Sequence, residues 1–168
     1  GKTGTTDDAG YCFTSAYNRD GDEIYTVVLN STTTDQRFTD TATLANWYYG
    51  HKVTVAIANT QEKTANGNPL MARIGQTDWT DKTIDATLAD PTAQATVFSL
   101  AGEVTEKVSY DDLSGTVHVG DKVGSVTLKQ DGTKIAVMDL VADEEGAGPN
   151  PIEWLLVKLD RLGRRIDN

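Results

Sequence analysis

The chain has a single cysteine, two histidines and no run of eighteen apolar residues, and each scarcity removes a class of protein. Cys12 alone excludes an internal disulfide and leaves the redox compartment undecided. His51 and His118 stand far apart, without the near neighbours a metal site needs, and are read as surface or strand histidines. No stretch reads as a membrane-spanning helix. Basic residues are also scarce: 15 Lys and Arg face 25 Asp and Glu, giving a net charge of -10 and a pI near 4.5. Nucleic acid is therefore excluded as a partner, because phosphate backbones are held by clustered cations. The 168 residues suffice for one domain or two small ones with a buried core.

What is present begins with Lys2-Thr3-Gly4-Thr5-Thr6. On one extended stretch a cation supplies charge, alternate hydroxyls supply directed donors, and a glycine lets another backbone approach, as an anionic, peptide-like ligand requires. Gly1-Lys2-Thr3 also ends like a phosphate-binding loop, but that motif must open a helix. Here Gly4, Thr5, Thr6 and two aspartates follow, which break helices and repel phosphate. A turn at Asp7-Asp8-Ala9 leads instead into a strand from Gly10 to Tyr17, and EIYTVVLN from Glu23 to Asn30 reads as the next. Asp20-Gly21 between them is a hairpin signal. Asn18, Asp20 and Asp22 have the oxygen spacing of a calcium loop, but Glu23 replaces its glycine and its last glutamate is missing.

From Ser31 to Gly50 the period becomes helical. Thr33 and Gln36 are spaced as a capping box, and Phe38, Ala42, Ala45 and Tyr48 or Tyr49 form an apolar face. Beyond His51 short alternating strands return: 52–58, 94–100, 104–110, 124–129 and 133–141, with Asp131-Gly132 as another hairpin turn. Such a pattern indicates a compact β-sandwich-like module. Asp143-Glu144-Glu145 reads as a solvated loop, and residues 152–168 as an amphipathic helix with Ile152, Leu155, Leu156, Leu159 and Leu162 on one face. In that tail four cations (Lys158, Arg161, Arg164, Arg165) meet three acids (Glu153, Asp160, Asp167), so it differs in charge from the acidic body.

The run KTGTTDDAGYC, from Lys2 to Cys12, resembles the third active-site motif of the penicillin-binding enzymes, most closely the low-molecular-mass serine D-alanyl-D-alanine carboxypeptidases. VGDKVGSVTLKQDGTKI, from Val119 to Ile135, more loosely resembles the β-rich domain that follows their catalytic domain. The resemblance implies an α+β, mainly β chain. Residues 1–50 would be three antiparallel strands and a helix closing a catalytic domain, 51–148 a β-rich accessory domain, and 149–168 an amphipathic helix that either lies on a membrane surface or folds onto the β module. It also implies acyl transfer on peptidoglycan stem peptides ending in D-alanyl-D-alanine, with β-lactams as mimics, no cofactor and no metal. In that scheme Lys2 tunes the electrostatics beside a nucleophilic serine. Thr3, Gly4, Thr5 and Arg37 bind the substrate, and the Thr5 backbone N–H is an oxyanion donor. Arg37 matches an arginine that grips the terminal carboxylate, for which a guanidinium fork is suited. The expected location is extracytoplasmic, at the cell envelope.

One departure is large. The six serines, Ser15, Ser31, Ser99, Ser109, Ser114 and Ser125, have no Lys three residues later and no Asn two later, so neither Ser-x-x-K nor Ser-x-Asn is present. The expectation is a catalytic half that precedes Gly1 or was lost, and a 168-residue chain inactive by itself. The alternative is a non-catalytic β module that binds cell-wall polymer or a protein partner.

Overall fold

A computed structural model describes residues 1–166, with side chains through Leu162. The chain is α+β and mainly β, with antiparallel pairing in both larger sheets, and it divides into two compact units. The first comprises residues 1–53 and 98–100, the second residues 54–97 and 101–168.

In the first unit β1 (Lys2–Thr6), β2 (Gly10–Arg19) and β3 (Asp22–Ser31) form a sheet in chain order, followed by helix α1 (Gln36–Gly50). Arg19 pairs with Asp22 across the Asp20-Gly21 turn, whose residues have φ of 53° and 84°. Both positive angles match the twist of the flanking strands, which is why Asp-Gly marks the hairpin. Asn18 Oδ1 adds an acceptor for the Gly21 N–H at 3.2 Å, so these residues build a turn and not a calcium loop.

The second link, between β1 and β2, depends on Gly10. Its φ is +61°, and a Cβ there would fall 2.5 Å from Asn30 Oδ1 and 3.1 Å from Asn30 Cα. Asn30 is itself left-handed, with φ of 57°, where β3 carries an extra residue opposite Tyr11 to Phe13. That irregularity lets Ser31 donate to Asp40 of α1 at 2.8 Å.

Helix α1 lies on the sheet face that carries Phe13, Ser15, Tyr17, Thr26 and Ser31. Asp35 is its cap residue and makes no side-chain cap bond; in the turn before it the Thr33 hydroxyl accepts the Gln36 N–H at 3.0 Å, while the Gln36 side chain turns to Asp40. Half of the expected capping box therefore forms. The contact with the sheet is largely polar. Thr41 is fully buried, accepts from the Tyr17 hydroxyl at 3.1 Å and donates to the Phe38 carbonyl, and the Tyr49 hydroxyl reaches the Tyr17 and Asp22 carbonyls. Ala45 is the only apolar side chain of the unit that is fully buried among the described residues. Tyr25, Val27 and Leu29 point from the opposite sheet face and are 76%, 57% and 70% exposed.

The second unit is built on a five-stranded sheet. Its order is β5 (Ala72–Gly75), β6 (Thr83–Leu88), β10 (Thr133–Ala142), β9 (Lys122–Gln130) and β8 (Val104–Tyr110). A smaller sheet pairs β4 (Lys52–Ala56) with β7 (Gln94–Phe98). The core gathers Ile74, Ile84, Leu88, Val123, Val126 and Leu140, with Ile57, Leu113 and Val117 from the connections. The acidic run is not a solvated loop throughout. Asp143 is buried and accepts from Thr64 and Asn68, Glu144 accepts the Asp85 N–H, and Glu145 accepts the Val119 N–H and meets His118. Asp143 thus satisfies side chains of a loop, while Glu144 and Glu145 accept backbone N–H groups.

Helix α2 (Pro151–Ile166) opens with a complete capping box. Asn150 Oδ1 accepts from Ile152 and Glu153, and Glu153 Oε2 accepts the Asn150 N–H in return. Arg161 donates to the carbonyls of Thr77 and Trp79, and its neighbours on that face, Glu153 and Val157, are half-buried. Ile152, Leu155, Leu156, Leu159 and Leu162 lie on the opposite side and are each more than half exposed. The side chains of Arg164, Arg165 and Asp167 lie outside the described residues.

Gly10→Ala should destabilise the first unit by on the order of 1–3 kcal/mol, since it adds left-handed strain to a backbone collision. Gly4→Ala should leave stability nearly unchanged, because a Cβ there meets only Cys12 Cβ at 4.0 Å. Denaturant titrations of both variants measure the difference; equal stabilities would contradict the packing at Gly10.

Candidate functional site

β1 is an edge strand, so its outer side carries backbone groups without a neighbour strand. Its register with β2 pairs Thr3 with Phe13, Gly4 with Cys12 and Thr5 with Tyr11. Alternation then places Thr3 and Thr5 on the α1 face together with Tyr11 and Phe13, and Lys2 and Gly4 on the other face.

Arg37 closes the α1 side. It stands in the first turn of α1, and one Nη donates to Thr5 Oγ1 at 3.2 Å across 32 residues of sequence. Its guanidinium carbon sits 4.9 Å from the Phe38 ring centroid and 5.9 Å from that of Tyr11. Arg37 is half-buried, and its Nε is fully enclosed and bonded to no protein atom. Among the described residues no carboxylate forms an ion pair with Arg37 or Lys2. Lys2 is exposed, and its Nζ donates to the Thr3 carbonyl.

Thr3, Thr5 and Arg37 thus share one face, with Gly4 between the threonines and Lys2 on the reverse of the strand. A guanidinium without a counter-charge, beside two hydroxyls and an open strand edge, offers an anion charge and directed hydrogen bonds together. Cys12 lies opposite Gly4 and is half-buried, its thiol directed to the Ala9 carbonyl at 3.2 Å. Tyr11 and Phe38 escaped sequence reasoning as parts of the site. Tyr11 lies within the Lys2–Cys12 run with no role implied for it, and the helical period places Phe38 on the apolar face, where it packs edge-on against Phe13 at 4.9 Å.

The remaining sequence candidates lie elsewhere. His51 sits at the end of α1 with Nδ1 2.6 Å from the Trp47 carbonyl, and its ring packs among Trp47 and Phe98. His118 is exposed beside Glu145. Among the described residues no group of three or more His, Cys, Asp or Glu is arranged to hold a metal ion.

No protein-family model matches the chain, and no curated protein matches it. Solved structures resembling it include a D-alanyl-D-alanine carboxypeptidase from Francisella tularensis, with 20% identity and a TM-score of 0.43 over 88% of this chain and 36% of that one. Penicillin-binding protein 5 from Haemophilus influenzae matches with 18% identity and a TM-score of 0.47, covering 86% and 41%. A peptidoglycan synthesis regulatory factor from Streptococcus pneumoniae matches with 21% identity and a TM-score of 0.46, covering 86% and 42%. The chain spans well under half the length of each of these proteins.

Proposed function

We propose that residues 1–50 form one wall of the active site of a serine-type D-alanyl-D-alanine carboxypeptidase, and that residues 51–148 form its accessory domain. The observation that carries this reading is the hydrogen bond from Arg37 to Thr5, which joins an unneutralised guanidinium to the hydroxyl-bearing strand of the Lys-Thr-Gly motif. The terminal carboxylate of a stem peptide meets Arg37 and the hydroxyls of Thr3 and Thr5. The peptide backbone runs along the open edge of β1, where Gly4 keeps the approach clear. The uncovered apolar face at Tyr25, Val27 and Leu29 suits a unit that completes a larger domain.

Chemistry in this scheme comes from a serine in a Ser-x-x-K motif that this chain does not contain. That serine attacks the carbonyl of the D-alanyl-D-alanine bond, the terminal D-alanine departs, and water releases the acyl group. The Thr5 N–H stabilises the oxyanion, and Lys2 contributes positive charge near the nucleophile. Penicillin, with a carboxylate beside its reactive amide, occupies the same position.

The protein works outside the cytoplasm at the cell envelope, with α2 resting on the membrane surface. No helix among the described residues is long and apolar enough to cross a membrane. What supports surface contact is the orientation of α2: Arg161 turns toward the β module, while Ile152, Leu155, Leu156, Leu159 and Leu162 face outward.

Three outcomes are expected. The 168-residue chain takes up no labelled penicillin, and stoichiometric labelling found by mass spectrometry would overturn this. The chain co-sediments weakly with vesicles and loses this on truncation after Asn150. Its β module stays folded by circular dichroism, since no α2 side chain among the described residues belongs to the core; a module that unfolds on truncation would overturn the surface role. With a Ser-x-x-K and Ser-x-Asn half-domain joined upstream, Arg37→Ala loses on the order of 2 to 5 kcal/mol of acylation barrier lowering on a free-acid peptide and much less on its amide. Lys2→Ala slows both substrates. Wild-type rates for Arg37→Ala on the free acid would remove Arg37 from the site.

A further inference from the structure

Three cations of this acidic chain are paired with carboxylates among the described residues. Lys52 meets Asp22 at 2.9 Å, Lys122 meets Asp139 at 2.7 Å, and Arg73 meets Glu62 and Asp85. Arg37, like Arg19 over Tyr49, meets rings and no carboxylate, and it differs in having an enclosed donor. Its guanidinium is bounded by the rings of Phe38 and Tyr11, and its Nε is enclosed without a protein acceptor. A ring face attracts a cation through its quadrupole and carries no net charge, so it fixes the group without cancelling its field. A carboxylate in the same place would fix it as well, but would compete with an incoming anion.

Each ring is itself fixed. Phe38 stands edge-on to Phe13 at 4.9 Å and 67°, and Tyr11 lies opposite Thr5 in the β1–β2 ladder, so one rung places both the ring and the hydroxyl that Arg37 meets. We propose that Tyr11 and Phe38 are positioning residues, whose rings orient the Arg37 guanidinium toward Thr5 while leaving its charge available to a ligand carboxylate. The ligand half of this inference rests on the reading of Arg37 as a carboxylate-binding group. The orienting half does not.

The test uses the full 168-residue chain labelled with 15N-arginine. The Nε–Hε signal of Arg37 is assigned by its loss in Arg37→Lys, and that of Arg19, which lies over Tyr49 in the same unit, serves as the internal control. The variants are Tyr11→Phe and Phe38→Tyr, which keep a ring, and Tyr11→Leu and Phe38→Leu, which do not. The probes are N-acetyl-D-alanyl-D-alanine and its C-terminal amide. Both ring-keeping variants should retain the Hε exchange rate of the parent chain and its response to the free acid within about twofold. Each leucine variant should speed Arg37 Hε exchange about tenfold and weaken the free-acid response by a similar factor, with Arg19 unchanged.

Leucine variants that keep slow Hε exchange and full free-acid response, with a native backbone spectrum, overturn the proposal. So do ring-keeping variants that lose as much as the leucine ones, because the ring face is then not what acts. If the parent chain responds equally to acid and amide, or to neither, the carboxylate reading of Arg37 fails, while accelerated exchange in the leucine variants still upholds the orienting role.

Discussion

The seating of α1 on the three-stranded sheet is the constraint from which the candidate site follows. Thr41 lies at its centre, fully buried, joined to Tyr17 from the sheet and to its own helix at Phe38. Tyr49 fastens the far end of the helix to the Tyr17 and Asp22 carbonyls, and Ser31 with Asp40 fastens the near end. Directional bonds of this kind set rotation and translation more tightly than apolar contact alone, because each fails with a small displacement. The consequence is that Arg37, at the start of α1, is held beside Thr5. A cation in the first helical turn opposes the helix dipole, so its place there is better explained by what it meets on β1 than by helix stability.

The same seating leaves the first unit with little apolar core. Ala45 is enclosed, while Tyr25, Val27 and Leu29 lie open on the other face of the sheet. The second unit follows the opposite logic, with a contiguous core of aliphatic side chains and one buried carboxylate, Asp143, that holds Thr64 and Asn68. α2 adds a third arrangement, in which a charged side chain faces the module and the apolar stripe faces out. The open sheet face at Tyr25, Val27 and Leu29 and the outward stripe of α2 are therefore both apolar.

Much of this was legible in the sequence where local chemistry sets the outcome. Asp20-Gly21 and Asp131-Gly132 are two-residue turns with positive φ at all four positions, and the strands they join run close to the expected limits. Helix α1 ends at Gly50 as expected, and its start needed only a shift to Gln36. β5 and β6 fall outside the expected strands: Ala72–Gly75 is too short to show a period, whereas Thr83–Leu88 alternates polar and apolar residues, with Ile84, Ala86 and Leu88 buried, and was legible. The acidic run at Asp143 was misread because its partners, Thr64, Asn68 and Asp85, are remote in sequence. In the site, the motif strand and Arg37 could be named from sequence, but the rings around Arg37 could not, since a helical period shows which side of a helix Phe38 occupies and not what charge lies against it.

Under the proposed function, the outer edge of β1 and the Arg37 side of α1 form one ligand-binding surface. Backbone chemical-shift mapping of the 15N-labelled chain against an acylated D-alanyl-D-alanine peptide tests it directly. The account predicts shift changes concentrated at residues 2–6, 11 and 36–38. Changes confined to the open face at residues 25–29, or to the second unit, would contradict it.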